Sequence, residues 1–176
     1  MENILFSNKL HPSIPMEKDV FGQFIGSWNL DLIITHSNGS KSNFNGEWHF
    51  SRILQGRAIQ DIWVIPNINK EVEGEFLEYG TTTRTYNPKT GKWKACWMGP
   101  IQNQVFIFDI EDTDDTIILS ELTITHFEMR WIFFEISKNS FQWKSEVKFN
   151  GSDKWMINYH MKLNRIKNKN TIQQSI

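Results

Sequence analysis

The 176 residues carry 19 Lys plus Arg against 20 Asp plus Glu, a formal net charge of -1, so no global field gathers phosphate backbones or anionic lipid. Nucleic acid and membrane surfaces are thereby excluded as default partners. Eight Trp and 13 Phe favour strands, cores and the walls of apolar pockets, while the single cysteine, Cys96, excludes an internal disulfide framework and a cysteine-based zinc site within one chain.

Residues 1 to 12 are mixed in character and are expected to be loosely held. They lack the basic segment and apolar core of a secretory signal, and no later run approaches the ~18 apolar residues of a membrane span, so a soluble cytoplasmic protein is expected. Residues 13 to 166 read as one domain and 167 to 176 as a polar tail. From Ser13 the pattern predicts a short helix, with Pro15 in its first turn, Glu17 and Asp19 near its positive end, and an apolar stripe of Val20, Phe21, Phe24 and Ile25. It ends at Gly26 and is too short to stand alone, so it packs on the open end of a sheet or barrel.

After Gly26 nearly everything reads as strand and turn. Strands are predicted at 27–36, 41–50, 57–65, 79–86, 93–98, 104–111, 116–122, 128–136, 141–149 and 155–165. The tight connections include Ser37-Asn38-Gly39-Ser40 and the Pro and Gly turn over 87–92. A Glu-rich connection runs from Pro66 to Glu78. Ten sequential strands with short turns predict an all-β fold: an antiparallel up-and-down meander that closes into a barrel and so removes its edges. The short N-terminal helix closes one end.

Period-two alternation assigns faces. In the last hairpin, Phe141, Trp143, Ser145, Val147 and Phe149 oppose Leu163, Met161, Tyr159, Ile157 and Trp155 on an apolar face. His160 then points outward beside Lys144. Carrying the same register back one strand places Arg130, Ile132, Phe134 and Ile136 inside. Met129, Trp131 and Phe133 then form an outer apolar stripe, to be covered by the N-terminal segment or by a second copy in a homodimer. Tyr86 opposite Trp93 puts Arg84 beside Ala95 and Thr82 beside Trp97. Arg57, Ile59, Asp61, Trp63 and Ile65 share a face that brings Asp61 near Arg84. Glu47 and His49 share one face of their strand and Trp48 and Phe50 the other; Gly46 is a candidate bulge, which leaves open which pair lies inside.

The segment FGQFIGSW at 21–28 resembles the entry segment of lipocalins and of calycin-type barrels. With GEWHFSRILQGRAIQDIWVIP, EYGTTTRTYNPKTGKWKACW and a final strand ending at Arg165, the chain resembles a family of small calycin-like barrels of unassigned function. The resemblance implies a cup-shaped barrel with a pocket for a small, mainly apolar molecule, and structural roles for Trp28 and Arg165, the Arg packing on the Trp. The absence of a signal peptide and of disulfide cysteines departs from secreted lipocalins.

Arg57, Gln60, Asp61 and Arg84 form the polar cluster. One reading has Arg84 or Arg57 anchoring an acidic or carbonyl group of a ligand, with Asp61 orienting the Arg and Trp63, Tyr86, Trp97, Arg130, Trp143 and Tyr159 lining the site. The other has an internal ion pair that fixes register. As an alternative function, Asp61, Glu47 or His49 in an apolar pocket would serve as acid or base for isomerisation, cyclisation or hydration. No nucleophile-elbow, zinc-protease, P-loop or dinucleotide motif is present, so no reaction is specified and no cofactor is implied. Haem binding through a histidine late in the chain, as in nitrobindin-like barrels, is disfavoured by the outward parity of His160. His11, His36, His49 and His126 lie on separate segments and make no metal-ligand set.

Overall fold

The computed structural model describes residues 5–66 and 76–167. Its ten strands are β1 (Gly26–Thr35), β2 (Lys41–Ile53), β3 (Ala58–Ile65), β4 (Glu78–Asn87), β5 (Lys92–Gly99), β6 (Gln104–Asp112), β7 (Ile117–Glu121), β8 (Phe127–Phe134), β9 (Ser140–Phe149) and β10 (Met156–Arg165). Each pairs with the next and β1 closes on β10, so the predicted meander is a closed antiparallel barrel. The expectations for residues 1–4, for the connection over 67–75 and for the tail over 168–176 lie outside the described residues.

The N-terminal helix is not formed. Two isolated 3-10 turns, Met16–Lys18 and Gly22–Phe24, stand in its place, separated at Asp19, whose backbone is non-helical and whose carboxylate pairs with Arg52 of β2. A segment this short gains little from helical hydrogen bonds. It gains more by seating Phe24 against Phe141 (4.7 Å between ring centroids), Phe133 (5.1 Å) and Phe50 (5.7 Å), and Phe21 edge-on to Trp93 (5.5 Å). These rings seal one end of the barrel.

Arg165 fastens that seal. Its guanidinium lies 4.0 Å from the centre of the Trp28 ring and donates to the carbonyls of Ile25 and Gln23, each at 2.7 Å, while Trp28 Nε1 donates to the Phe24 carbonyl at 2.7 Å. From Ser7 the N-terminal segment lies along the outside of β2 and the β2–β3 turn, through Ser7 N–H to Arg52 O (2.8 Å) and His11 N–H to Gly56 O (3.3 Å).

Registers largely follow the expected parity, with three exceptions. β2 has no bulge at Gly46; its pairing with β1 and β3 is continuous, so Trp48 and Phe50 point inward and Glu47 and His49 outward. β10 carries an irregularity between Ile157 and Tyr159, so Val147 faces Met156 rather than Ile157. The third correction concerns β8, where Met129, Trp131 and Phe133 face Val147, Ser145 and Trp143, one residue out of step with the expected pairing. Glu135 adopts a positive φ of 49° after the strand ends at Phe134, and this residue in the turn shifts the register. Met129, Trp131 and Phe133 are therefore buried inside, which removes the outer stripe on which a homodimer was argued. Arg130 is outside, bonded to Glu146 (Nε to Oε2, 2.7 Å) with its guanidinium over the Trp155 ring.

Above the sealed end, Arg84 and Asp61 form an ion pair with side chains entirely shielded from solvent, Nη1 to Oδ2 at 2.5 Å. Asp61 also accepts the Thr82 N–H at 3.1 Å, and the rings of Phe21, Phe50 and Phe133 lie 4.9–5.9 Å from the guanidinium carbon. Breaking one half of such a pair strands a buried charge. Asp61→Ala is expected to cost about 3–5 kcal/mol in urea unfolding, whereas the apolar double replacement Asp61→Leu with Arg84→Met recovers most of that loss.

Candidate ligand cavity

Ten strands enclose more space than the side chains of an eight-stranded barrel would fill. The excess collects at the end away from Phe21 and Phe24, as a cavity of about 430 Å³ that rises from buried Trp143 to exposed His36 and Gln102 at its mouth. Above Trp28 of β1, alternation puts a belt of five indoles on the inner faces of further strands: Trp48 (β2), Trp63 (β3), Trp97 (β5), Trp131 (β8) and Trp143 (β9). Neighbouring centroids lie 5.4–6.0 Å apart, from Trp48–Trp63 and Trp63–Trp97 to Trp97–Trp131 and Trp131–Trp143. Trp63, Trp97, Trp131 and Trp143 line the cavity, and Phe106, Phe127, Met129 and Val147 continue its apolar wall.

Room for Trp97 is made by Gly80 on β4. A Cβ there would lie 2.3 Å from Trp97 Cη2, so only glycine lets the indole lie against the strand. Two residues before Gly80 on the same inward row stands Glu78, which is the only acid lining the cavity among the described residues; no Lys or Arg lines it. Glu78 is 9% exposed and its Oε1 accepts the Tyr79 N–H at 3.1 Å. Burial pushes its carboxyl above the ordinary glutamate value, and the Tyr79 N–H offsets this only in part. Tyr159 on β10 also lines the cavity, and burial, then the Glu78 charge, push its phenol up.

The structure sorts the residues singled out from the sequence into four places. Trp63, Trp97, Trp143 and Tyr159 line the cavity. Asp61 and Arg84 sit inside the barrel but outside the cavity lining, among the phenylalanines of the sealed end, and Tyr86 packs on Trp93 at that end. Glu47 and His49 form an outward pair, Nε2 to Oε2 at 2.8 Å, with His49 Nδ1 bonded to Ser27 Oγ at 2.9 Å. Gln60 faces an external groove beside Ile62 and Met98, Arg57 is exposed on the β2–β3 turn bonded to Gln55, and Arg130 is outside. His160 is outside as expected, stacked on Phe134 and bonded to Gln142 Oε1 at 2.7 Å.

Glu78 escaped the sequence reading because it ends a run of acidic residues and was counted with the connection. The signal was the row Glu78, Gly80, Thr82, Arg84: extending the strand by one residue aligns the acid with the inward-facing arginine.

Fold and cavity together define a ten-stranded antiparallel barrel with an aromatic cavity open at one end. The chain belongs to the DUF1579 family, described as a protein of unknown function, whose model matches residues 15–175. No curated protein matches it. Among solved structures it is similar to Rv2717c from M. tuberculosis, with 13% identity and a TM-score of 0.62 over 90% of this chain and 100% of that one. It is also similar to the S-type phycobiliprotein lyase CPES from Guillardia theta, with 12% identity and a TM-score of 0.58 over 89% of this chain and 96% of that one. At such identities the likeness is one of fold. Among the described residues no helix is long and apolar enough to cross a membrane, and no group of three His, Cys, Asp or Glu is placed to hold a metal ion.

Folded Glu78 holds its proton more tightly than unfolded Glu78. Its contribution to stability is therefore complete below the ordinary glutamate value and is lost as pH rises through the raised folded value. Glu78→Gln cannot ionise and escapes that loss. In scanning calorimetry the variant is expected to melt above the wild type at pH 8 and to lose that advantage at pH 4.

Proposed function

We propose that this protein binds a small, mainly apolar organic molecule inside the barrel. The observation that carries the reading is the cavity of about 430 Å³ walled by Trp63, Trp97, Trp131 and Trp143 and open at one end. Such a volume with few polar groups is the usual form of a small-molecule site. A barrel of similar shape is a phycobiliprotein lyase, which supports a small-molecule partner. Glu78 and Tyr159 supply polar groups to the cavity wall, together with Ser145, Asn158 and Gln104 and, at the mouth, His36 and Gln102. Of the two readings of the Arg84–Asp61 pair, anchor of an acidic group or internal ion pair that fixes register, the second is favoured, because neither side chain is exposed and the pair links β3 to β4 beneath the indoles.

A second reading is favoured by Glu78 itself. A carboxyl whose pKa is raised by burial, in one apolar cavity with a phenol, is the arrangement that general acid chemistry uses. Glu78, with Tyr159, would then take the role first given to Asp61, Glu47 or His49, in isomerisation, cyclisation or hydration of an apolar substrate. Turnover abolished by Glu78→Gln in a folded protein would support it.

The binding reading is tested with N-phenyl-1-naphthylamine, a neutral apolar fluorophore. Saturable 1:1 enhancement of its emission with quenching of tryptophan emission is expected, and Met129→Trp, which fills the cavity from β8, is expected to weaken binding about tenfold or more. Unchanged binding in that variant would place the probe on the external groove beside Ile62 and Met98 and overturn the reading.

A further inference from the structure

The cavity wall is electrostatically one-sided. Its lining holds four indoles, two phenylalanines, one carboxyl group and neutral polar groups such as Ser145, Asn158 and Gln104, and no Lys or Arg among the described residues; Asn158 Oδ1 is a buried acceptor without a hydrogen-bond partner among them. The nearest inward guanidinium, Arg84, is already paired with Asp61 below the indoles. A carboxyl group that is nine-tenths buried ordinarily has a salt-bridge or hydrogen-bond partner for each oxygen. Glu78 has one partner for Oε1, the Tyr79 N–H, and among the described residues Oε2 has no hydrogen-bond or ion-pair partner. Tyr159 Oη likewise accepts nothing from the described residues, although it shares the cavity.

The placement of the acid relative to the rings is specific. Trp63 pairs directly opposite Gly80, and the Trp97 ring lies against Gly80. Glu78 is two residues along the same strand face, a step of about 7 Å. A carboxylate and two indoles are thus adjacent on one wall. An organic cation is attracted both by a carboxylate and by the faces of tryptophan, which is the strongest of the aromatic side chains in this respect. An anion would meet the negative faces of the rings and a like charge at Glu78.

We infer that the cavity takes an organic cation: an ammonium or protonated amine joined to an apolar body, with Glu78 as counter-ion, Trp63 and Trp97 as π faces, and Tyr159 Oη as a further acceptor. This rests on the reading of the cavity as a ligand site and adds the charge of the ligand to it. Burial favours the protonated form of Glu78 and a bound cation favours its carboxylate, so cation binding and ionisation of Glu78 are coupled. The other titratable groups lining the cavity are Tyr159 on β10 and His36 at the mouth.

Three probes with one naphthalene body separate the possibilities by equilibrium dialysis: 2-naphthylmethyl-trimethylammonium, its uncharged isostere 2-neopentylnaphthalene, and 2-naphthylacetate. The ammonium keeps its charge at every pH, so any pH dependence belongs to the protein. Expected are binding of the ammonium about tenfold or more tighter than the isostere, as cation–π contact plus a desolvated counter-ion would give, and weakest binding of the acetate. The preference for the ammonium should grow in the wild type as pH rises through the raised Glu78 value, and in Glu78→Gln it should fall to within about threefold and lose that part of its pH dependence. Equal binding of ammonium and isostere, or tightest binding of the acetate, overturns the inference and leaves the apolar cavity standing. Failure of all three to bind a protein that is folded by circular dichroism overturns the cavity reading, and this one with it.

Discussion

The rest of the barrel depends on the Arg84–Asp61 pair and on the rings that close over it. Two formal charges with no solvent access are stable only while each remains within bonding distance of the other. That condition fixes β3 against β4, since Asp61 also takes the Thr82 N–H across the same ladder. It also requires that water stay out. Phe21 and Phe24, delivered by the short N-terminal turns, provide the seal, and Arg165 holds those turns to β10 by bonding two of their carbonyls. The N-terminal segment is in this sense a part of the core, although it precedes the first strand.

Sealing one end decides where the unfilled volume goes. The phenylalanines pack tightly around the guanidinium, and the tryptophans above them touch one another around the wall. Large flat rings on alternate residues of a ten-stranded barrel cannot tile its full interior, and no segment comparable to residues 13–25 plugs the opposite end among the described residues. The cavity is thus a consequence of asymmetry along the barrel axis. Its wall is dominated by tryptophan because that layer must bridge a wide circumference.

Most of this was legible in the sequence, since strand alternation is a local signal. The hairpin over 87–92 put Arg84 beside Ala95, the parity of 57–65 brought Asp61 near it, and the outward parity of His160 followed from the last hairpin. The errors arose where one residue changes the count. Glu135 in a left-handed conformation moved β8 by one position and turned Arg130 outward and Trp131 inward. Period-two reasoning has no defence against such a slip when both faces of a strand are apolar, as at Met129 to Phe134. The N-terminal helix failed for a different reason: Asp19 and Phe21 gain more from tertiary partners than from helical geometry.

Sequence reasoning left two readings of the Arg84–Asp61 pair, a ligand anchor or an internal ion pair that fixes register, and gave Glu78 no role. The structure separates Arg84 and Glu78 by depth. Arg84 is deep, paired and without access, so its charge is spent within the fold. Glu78 is buried but lines the open cavity, and among the described residues it has no ionic partner; burial favours its protonated form. Solved barrels only 12–13% identical show the fold without carrying over any such residue. The ligand preference of this chain must therefore be argued from its own wall, where an uncompensated acid beside two indoles is the feature that the stability of the barrel does not explain.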